Sequence, residues 1–481
     1  MTQMKLPWVA ATLLTAVGWG IGAGLWMPRG PLTAAQALWS VALSAAVGGL
    51  AGWASRSRWA MLAAPVAFVA ALELARWQVG GPSVDGIRFT TFGLAALVAG
   101  RGVQGVLSVL PIVVGAAYGV ALTRRGRPPG RRVPRYLRRT GVATLAALVV
   151  LATAAVTVPA RTAAIPGGVA ELSTVDIGGY RLGLMIRGHD TSAPVLLYVP
   201  GAPGGMEMGS VRRYLGALEE QFVVVTLDRR GGGKSYAALD GSPPASLDSG
   251  VSDTIAVTNY LRGRFRQDRI VLVAHSGGSI LGALAVARHP ELYRAYIGVG
   301  QAVDLPETDR IFYADILSWA RATGNRALER TLVDRGPPPY PDFSSYEPII
   351  TNTAGVYDYD RGPNAEGEAG ATGNLNVPEY TLLEKVHTLN SMMDTWQAQY
   401  PDMQGVDLRT DVPRLRVPVY FMEGAHEMRG LAVPFAQWFD LLDAPTKRLV
   451  VFETSGHRPM FEQPDRFVDA MAQVRTETAA S

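Results

Sequence analysis

Arg269-Ile-Val-Leu-Val-Ala-His-Ser-Gly-Gly-Ser-Ile-Leu-Gly-Ala-Leu-Ala-Val-Ala-Arg288 is the stretch from which the rest of the chain is read. Its first part is a short apolar run rich in Val and Ile, the pattern of a parallel strand buried on both faces. The chain then turns through His275-Ser276-Gly277-Gly278 and continues as an Ala/Leu-rich segment of helical period. A serine between small residues at the tip of a strand-to-helix turn is placed as an exposed nucleophile. Crowding explains the small residues. In so tight a turn, the side chains two before and two after the serine face a strand and a helix. Those positions are Ala274 and Gly278, so one of the two glycine slots of a G-x-S-x-G turn holds a methyl group.

A chain of 481 residues is long enough for two or more domains. Cysteine is absent, which excludes disulfides, thiolate metal sites and a cysteine nucleophile. The net charge of +4 hides an asymmetry. Residues 1–163 hold 16 Lys/Arg against 2 Asp/Glu, and the remainder holds 29 against 39. A basic first third and an acidic remainder point to two parts in different surroundings.

The first third reads as membrane. Residues 8–27, 34–53, 59–77, 103–122 and 141–160 are apolar stretches, each close to the ~20 residues that cross a bilayer. Trp8, Trp26, Trp39, Trp53, Trp59 and Trp77 stand at or near the ends of such stretches or in the belts between them. Glu73 and Arg76, one turn apart, form a local pair or snorkel to the interface. The apolar piece 92–99 is too short to span and is either interfacial or a lengthening of the fourth segment. The link 123–140 carries eight arginines and no acid, and Arg56 and Arg58 follow the second segment. Under the positive-inside rule both links are cytoplasmic. Five spans then leave the N-terminus inside and the chain after about residue 160 outside, a multi-pass protein of the cell membrane. The flanking spans argue against a nucleic-acid role for the arginine run, and further spans argue against a cleaved signal peptide.

After a linker at 161–168, the runs 171–177 and 180–187 meet at Gly178-Gly179 as a hairpin. Further strands are expected at 194–199, 221–227, 295–299, 417–422 and 447–452, with a helix at 253–262. Strands alternating with helices give a mostly parallel, doubly wound sheet. Residues 302–415 break the alternation, with helices expected at 311–322, 327–333 and 380–399 and a Gly/Asn-rich loop at 359–376. An insertion at this point is a cap over the sheet. The domains expected are a transmembrane region at 1–163, a core at 164–301 and 416–481, and the cap between.

Five short pieces now carry a resemblance. They are Pro200-Gly-Ala-Pro-Gly-Gly205, Asp228-Arg-Arg-Gly-Gly-Gly-Lys-Ser235, Ala274-His-Ser-Gly-Gly278, Gly424-Ala-His-Glu427 and Ser455-Gly-His457. In this order they resemble the α/β-hydrolase superfamily over about residues 171–467, and within it the proline iminopeptidase-like serine hydrolases. The resemblance implies an α/β-hydrolase fold with a helical cap and a triad in the order Ser, acid, His. Ser276 is then the nucleophile and His457, in a loop after the last strand, its base. Glu427 is the acid, one methylene longer than the usual aspartate, with Glu423 as its rival. His275, His426, His189, His289 and His387 read as structural, the last three in surface-like contexts. Gly277 and Ala202 are the expected oxyanion donors. Pro200 replaces the family's histidine and Ala202 a glycine. Asp228 and Arg229 brace loops, and Gly231–Ser235 does not complete a phosphate loop.

The expected reaction is hydrolysis of an ester or amide bond through an acyl-enzyme, with no cofactor and no metal. The partners expected are a small-molecule or peptide substrate and the lipid bilayer. The resemblance implies an aminopeptidase, which needs carboxylates for the substrate's ammonium; Glu307, Asp315, Glu347 and Glu384 are available. An esterase or lipase needs an apolar pocket instead, and a non-catalytic sensor domain needs no triad at all.

Overall fold

A computed structural model describes residues 6–123, 132–201, 204–241, 244–359, 373 and 375–479. They form two compact units: Met1–Pro159 with Thr381–Asn390, and Ala160–Tyr380 with Ser391–Ser481.

The first unit is helical. Its long helices are α1 (Leu6–Trp26), α2 (Ala34–Ser55), α3 (Ala60–Ala75), α4 (Thr91–Leu122) and α5 (Arg132–Val156). Among the described residues, three segments are long and apolar enough to cross a membrane: α2, α4 and the Arg139–Val156 part of α5. Leu13–Trp26 and α3 are apolar but shorter. Helix α3 stops at Ala75, where Arg76 turns its guanidinium back onto Glu73 and the Pro28 carbonyl. Arg101 joins the same carboxylate at 3.0 Å, so Glu73 serves two arginines. Residues 92–99 lengthen the fourth helix, which widens into π-helical turns at Val98–Gly102 and Gly105–Val109. Of the arginine-rich link at 123–140, residues 124–131 lie outside the described residues, and 132–140 are already the start of α5.

Small residues set the packing of this unit. Gly48 and Gly52 on α2 face Gly115 and Gly119 on α4. A Cβ on any of the four would lie 2.1–2.2 Å from a carbonyl oxygen of the facing helix. Gly20 and Gly24 repeat the arrangement against α3. Backbones brought this close by small-xxx-small spacing are the interface that lipid-embedded helices use, where burial of apolar surface gives no drive to associate.

The second unit is built on eight strands: β1 (Val169–Ile177), β2 (Tyr180–Gly188), β3 (Val195–Val199), β4 (Val223–Leu227), β5 (Ile270–His275), β6 (Tyr293–Val299), β7 (Val419–Gly424) and β8 (Lys447–Phe452). Their order across the sheet is β1-β2-β4-β3-β5-β6-β7-β8. The β1–β2 and β2–β4 pairs are antiparallel and all others parallel. Every residue of β3, β4, β5 and β7 is buried, which is why these runs lack polar alternation. The β1–β2 turn is made by Gly178 and Gly179, both at positive φ.

Helices α6 (Leu247–Phe265) and α7 (Gly277–Arg288) flank the central strands in sequence. Between β6 and β7 the chain leaves the sheet for α8 (Leu305–Ala322), α9 (Arg326–Arg335) and α10 (Phe343–Val356). Helix α10 has no counterpart among the sequence expectations, because Pro348 and a run of Thr and Asn dilute its pattern; Asp342 caps it through the Ser345 N–H. The helix expected at 380–399 is two pieces broken at His387: α11 (Leu382–Val386), which belongs to the first unit, and α12 (Thr388–Met403), most of which belongs to the second. His387 is buried, not at a surface as expected. Of the loop at 359–376, residues 360–372 and 374 lie outside the described residues. Two further long helices of the second unit are α13 (Arg429–Leu441) and α14 (Pro464–Thr478).

Candidate active site

Ser276 stands between β5 and α7 with φ 51° and ψ −132°. That is a left-handed conformation that a non-glycine residue adopts only when its surroundings enforce it. The surroundings here are specific. The Ser276 N–H donates to the Val299 carbonyl, and Ser279 Oγ donates to the Ser276 carbonyl. Gly278 lies so close to the loop after β3 that a Cβ would meet the Pro200 oxygen at 2.2 Å. Gly201 of that loop passes over the serine, where its own Cβ would meet Ser276 Cβ at 3.0 Å. The alanine at 274 is accommodated because the helix presents Gly282 to it.

The strand ends bring the other residues in. Glu427 follows β7 by a turn in which its N–H donates to the Gly424 carbonyl. His457 follows β8, and Gly300 at the end of β6, at φ 51°, leaves room for its ring. His457 Nε2 is 2.8 Å from Ser276 Oγ, and His457 Nδ1 is 2.9 and 3.1 Å from the two oxygens of Glu427. One imidazole therefore bridges the hydroxyl and the carboxylate. Glu427 also accepts from the Met428 N–H, which fixes the carboxylate's rotation.

Glu423 does not touch the ring. It is buried at the end of β7 and accepts from the Gln301 N–H. Burial and the nearby Glu427 carboxylate push Glu423 well above the usual carboxylate range. Gly277 is the first residue of α7, so its N–H lies among the free donors of a helix N-terminus. Ala202 lies outside the described residues.

Beside Ser276 is a pair that the sequence reading missed. His275 is buried; its Nδ1 is 3.1 Å from Glu207 and its Nε2 is 3.2 Å from the His457 carbonyl oxygen. Burial opposes ionisation of Glu207, yet the His275 and Arg458 charges and the Tyr198 hydroxyl outweigh it and hold the group down to about 2. The available signal was an acid set in Met206-Glu-Met208, directly after the glycine loop. Asp228 accepts from Tyr380 and the Lys234 N–H, and Arg229 donates to Gln399 and Pro200. His426 stacks on Tyr359, and His189 and His289 are half-exposed beside Glu220 and Glu291. Among the described residues no cluster of His, Asp or Glu is arranged to hold a metal ion.

A cavity of about 240 Å³ opens onto Ser276 and His457. Tyr346, Trp396 and Tyr400 form one wall, with centroids 4.8 and 4.1 Å apart along the stack. None of the four carboxylates considered for an ammonium lines it. Glu307 pairs with Arg409, and Asp315 with Arg429 and Tyr357. Glu384 closes the capping box of α11, and Glu347 is buried and not among the lining residues.

The family model described as Alpha/beta hydrolase family matches residues 196–470. The chain belongs to the α/β-hydrolase family. A probable aminopeptidase of Bacillus subtilis (strain 168), YbaC, is 29% identical over 308 residues, 63% of this chain and 96% of that protein. Among solved structures, the proline iminopeptidase of Mycobacterium smegmatis is 17% identical, covering 65% of this chain and 100% of its own at a TM-score of 0.47. A proline iminopeptidase-related protein of Thermus thermophilus is 20% identical over 64% of this chain and 98% of its own, at 0.44.

Proposed function

We propose that this α/β hydrolase is a serine hydrolase that cleaves an ester or amide through an acyl-enzyme. The observation that carries the reading is the single imidazole of His457, within hydrogen-bond reach of both Ser276 and Glu427. Ser276 Oγ bonds to the acyl carbon while His457 Nε2 takes its proton. The same proton passes to the leaving alkoxide or amine as its bond to carbon breaks. Water then repeats the sequence and returns the serine. Glu427 holds the ring's tautomer and stabilises its cation. Gly277 and Ala202 N–H groups receive the oxyanion, each worth about 2.7–4 kcal/mol of barrier in enzymes of this kind. The residues between β6 and β7 act as the cap. The similarity to the probable aminopeptidase of Bacillus subtilis supports an aminopeptidase. The apolar cavity supports an acyl hydrolase.

The helical unit anchors the enzyme in the cell membrane with five spans. Arginines on the 54–58 and 123–140 links support a cytoplasmic N-terminus and a hydrolase unit on the outer side. The experiment is Ser276→Ala in the full chain, purified in detergent and assayed with a p-nitrophenyl ester. Turnover falls by at least about 10³-fold with the fold retained; undiminished turnover overturns the reading.

A further inference from the structure

We propose that the cavity above Ser276 binds a neutral hydrocarbon acyl chain, so that the bond cleaved belongs to an apolar acyl ester or amide and not to a peptide with a free ammonium; this rests on the serine-hydrolase reading above. Ile280, Leu305, Phe312, Ile349, Met403 and Leu431 supply much of the lining. What the polar residues in the same wall do with their protons is more telling. Thr308 Oγ1 donates to the Gly430 carbonyl at 2.7 Å, and Thr353 Oγ1 to the Ile350 carbonyl at 3.2 Å. The hydroxyls of Tyr346 and Tyr400 both donate to Asp309, at 2.8 and 2.7 Å. Each of these four hydroxyl protons is spent inside the protein, so these residues turn mainly methyl groups and ring faces to the cavity. Gln399 Oε1 accepts from the Arg229 guanidinium.

An ammonium group placed here would lose its water with no carboxylate among the described lining residues to receive it, and an unpaired charge out of water is strongly disfavoured. Asp309 is the acid that holds the two tyrosine hydroxyls of the wall. It is fully buried behind the two tyrosines, and burial pushes it up to about 7. Both of its oxygens already accept hydrogen bonds. Glu307 and Asp315, the other acids of α8, are neutralised by Arg409 and Arg429. A methylene, by contrast, gains at every surface it touches, by about fourfold in affinity per group buried.

The test uses the full chain in detergent and p-nitrophenyl alkylphosphonates bearing ethyl, butyl, hexyl or aminopentyl groups. In each, Ser276 Oγ attacks phosphorus, His457 takes the hydroxyl proton and p-nitrophenolate departs, leaving a stable adduct. The rate is read from phenolate release and the site from mass spectrometry. The expected rate constant rises about fourfold per methylene from ethyl to hexyl. The aminopentyl compound, with ammonium in place of the terminal methyl, reacts at least about tenfold more slowly than hexyl. A flat series, or an aminopentyl rate equal to hexyl or faster, overturns the acyl-chain proposal while an adduct on Ser276 leaves the serine-hydrolase reading standing. Failure of every compound to modify Ser276 overturns both. Ile350→Trp narrows the cavity and lowers the hexyl-to-ethyl ratio, a comparison internal to one sample; an unchanged ratio also counts against the proposal.

Discussion

The methyl group of Ala274 packs against the bare backbone of Gly282. A Cβ added at 282 would lie 2.7 Å from that of Ala274 and 2.9 Å from the ring of Tyr296. The elbow thus has an extra carbon before the serine and a missing one on the helix behind it. Gly282→Ala is therefore expected to overpack the turn and cost about 1–3 kcal/mol. Combining it with Ala274→Gly recovers part of the loss, since the two sites share one space. Thermal unfolding of the single and double variants in detergent measures the coupling, and strict additivity would contradict it.

Glu427 reaches His457 Nδ1 at 2.9 Å with the full length of its side chain. Glu427→Asp withdraws the carboxylate by roughly an ångström, for which a loss of about 10²-fold in kcat is expected. Glu427→Gln keeps the length but removes the charge and favours the wrong tautomer, for a loss of about 10⁴-fold. Steady-state kinetics separates them: KM changes little in either variant.

Asp309 provides a pH dependence of stability with a definite sign. Its native pKa is raised from 3.8 to about 7 by burial, the hydroxyls of Tyr346 and Tyr400 and the Gln404 side chain opposing this and Asp304 adding to it. The folded state holds this proton where the unfolded chain has released it, so stability declines as pH rises from about 4 to 7. The shift corresponds to at most about 4 kcal/mol. Glu207, held near 2, acts oppositely: its contribution is present above the ordinary carboxylate value of 4.5 and lost as pH falls toward 2. Asp309→Asn should flatten the upper part of the profile. Melting temperatures of both proteins at pH 5 and pH 8 decide it: an undiminished difference in the variant removes Asp309 as the cause.

In the helical unit, Gly119 on α4 approaches α2 so that a Cβ would sit 2.1 Å from the Gly49 oxygen. Gly119→Val forces those helices apart and is expected to lower the melting temperature of the detergent-solubilised chain. An equal change at Gly105, where a Cβ would meet nothing within 4 Å, serves as the control. Similar melting of the two variants would count against the close-packed pair.

The sheet was readable because its strands are short apolar runs between turn residues, and β3, β4 and β5 lie within a few residues of where those runs predicted them. Ser276, His457 and Glu427 each lie in a loop just after a strand, so knowing the strands brought them to one edge. Two features resisted. Glu207 and His275 look like an isolated acid and a neighbour of the nucleophile, and only the crossing of two loops pairs them. Helix α10 contributes Tyr346, Ile349 and Ile350 to the cavity, yet its proline and its Thr/Asn run hide the periodicity. The glycine pairs of α2 and α4 were in plain view, but nothing in one sequence says which glycine meets which.

The backbone of Ser276 at φ 51° means that the residue proposed as nucleophile is a poor occupant of its own site. Glycine fits that conformation without penalty, whereas serine carries about 1–3 kcal/mol of strain. A dead Ser276→Gly variant should therefore melt later than the active enzyme, and the interval between the two melting points would gauge how much thermal endurance the protein forgoes to keep a hydroxyl poised at that bend.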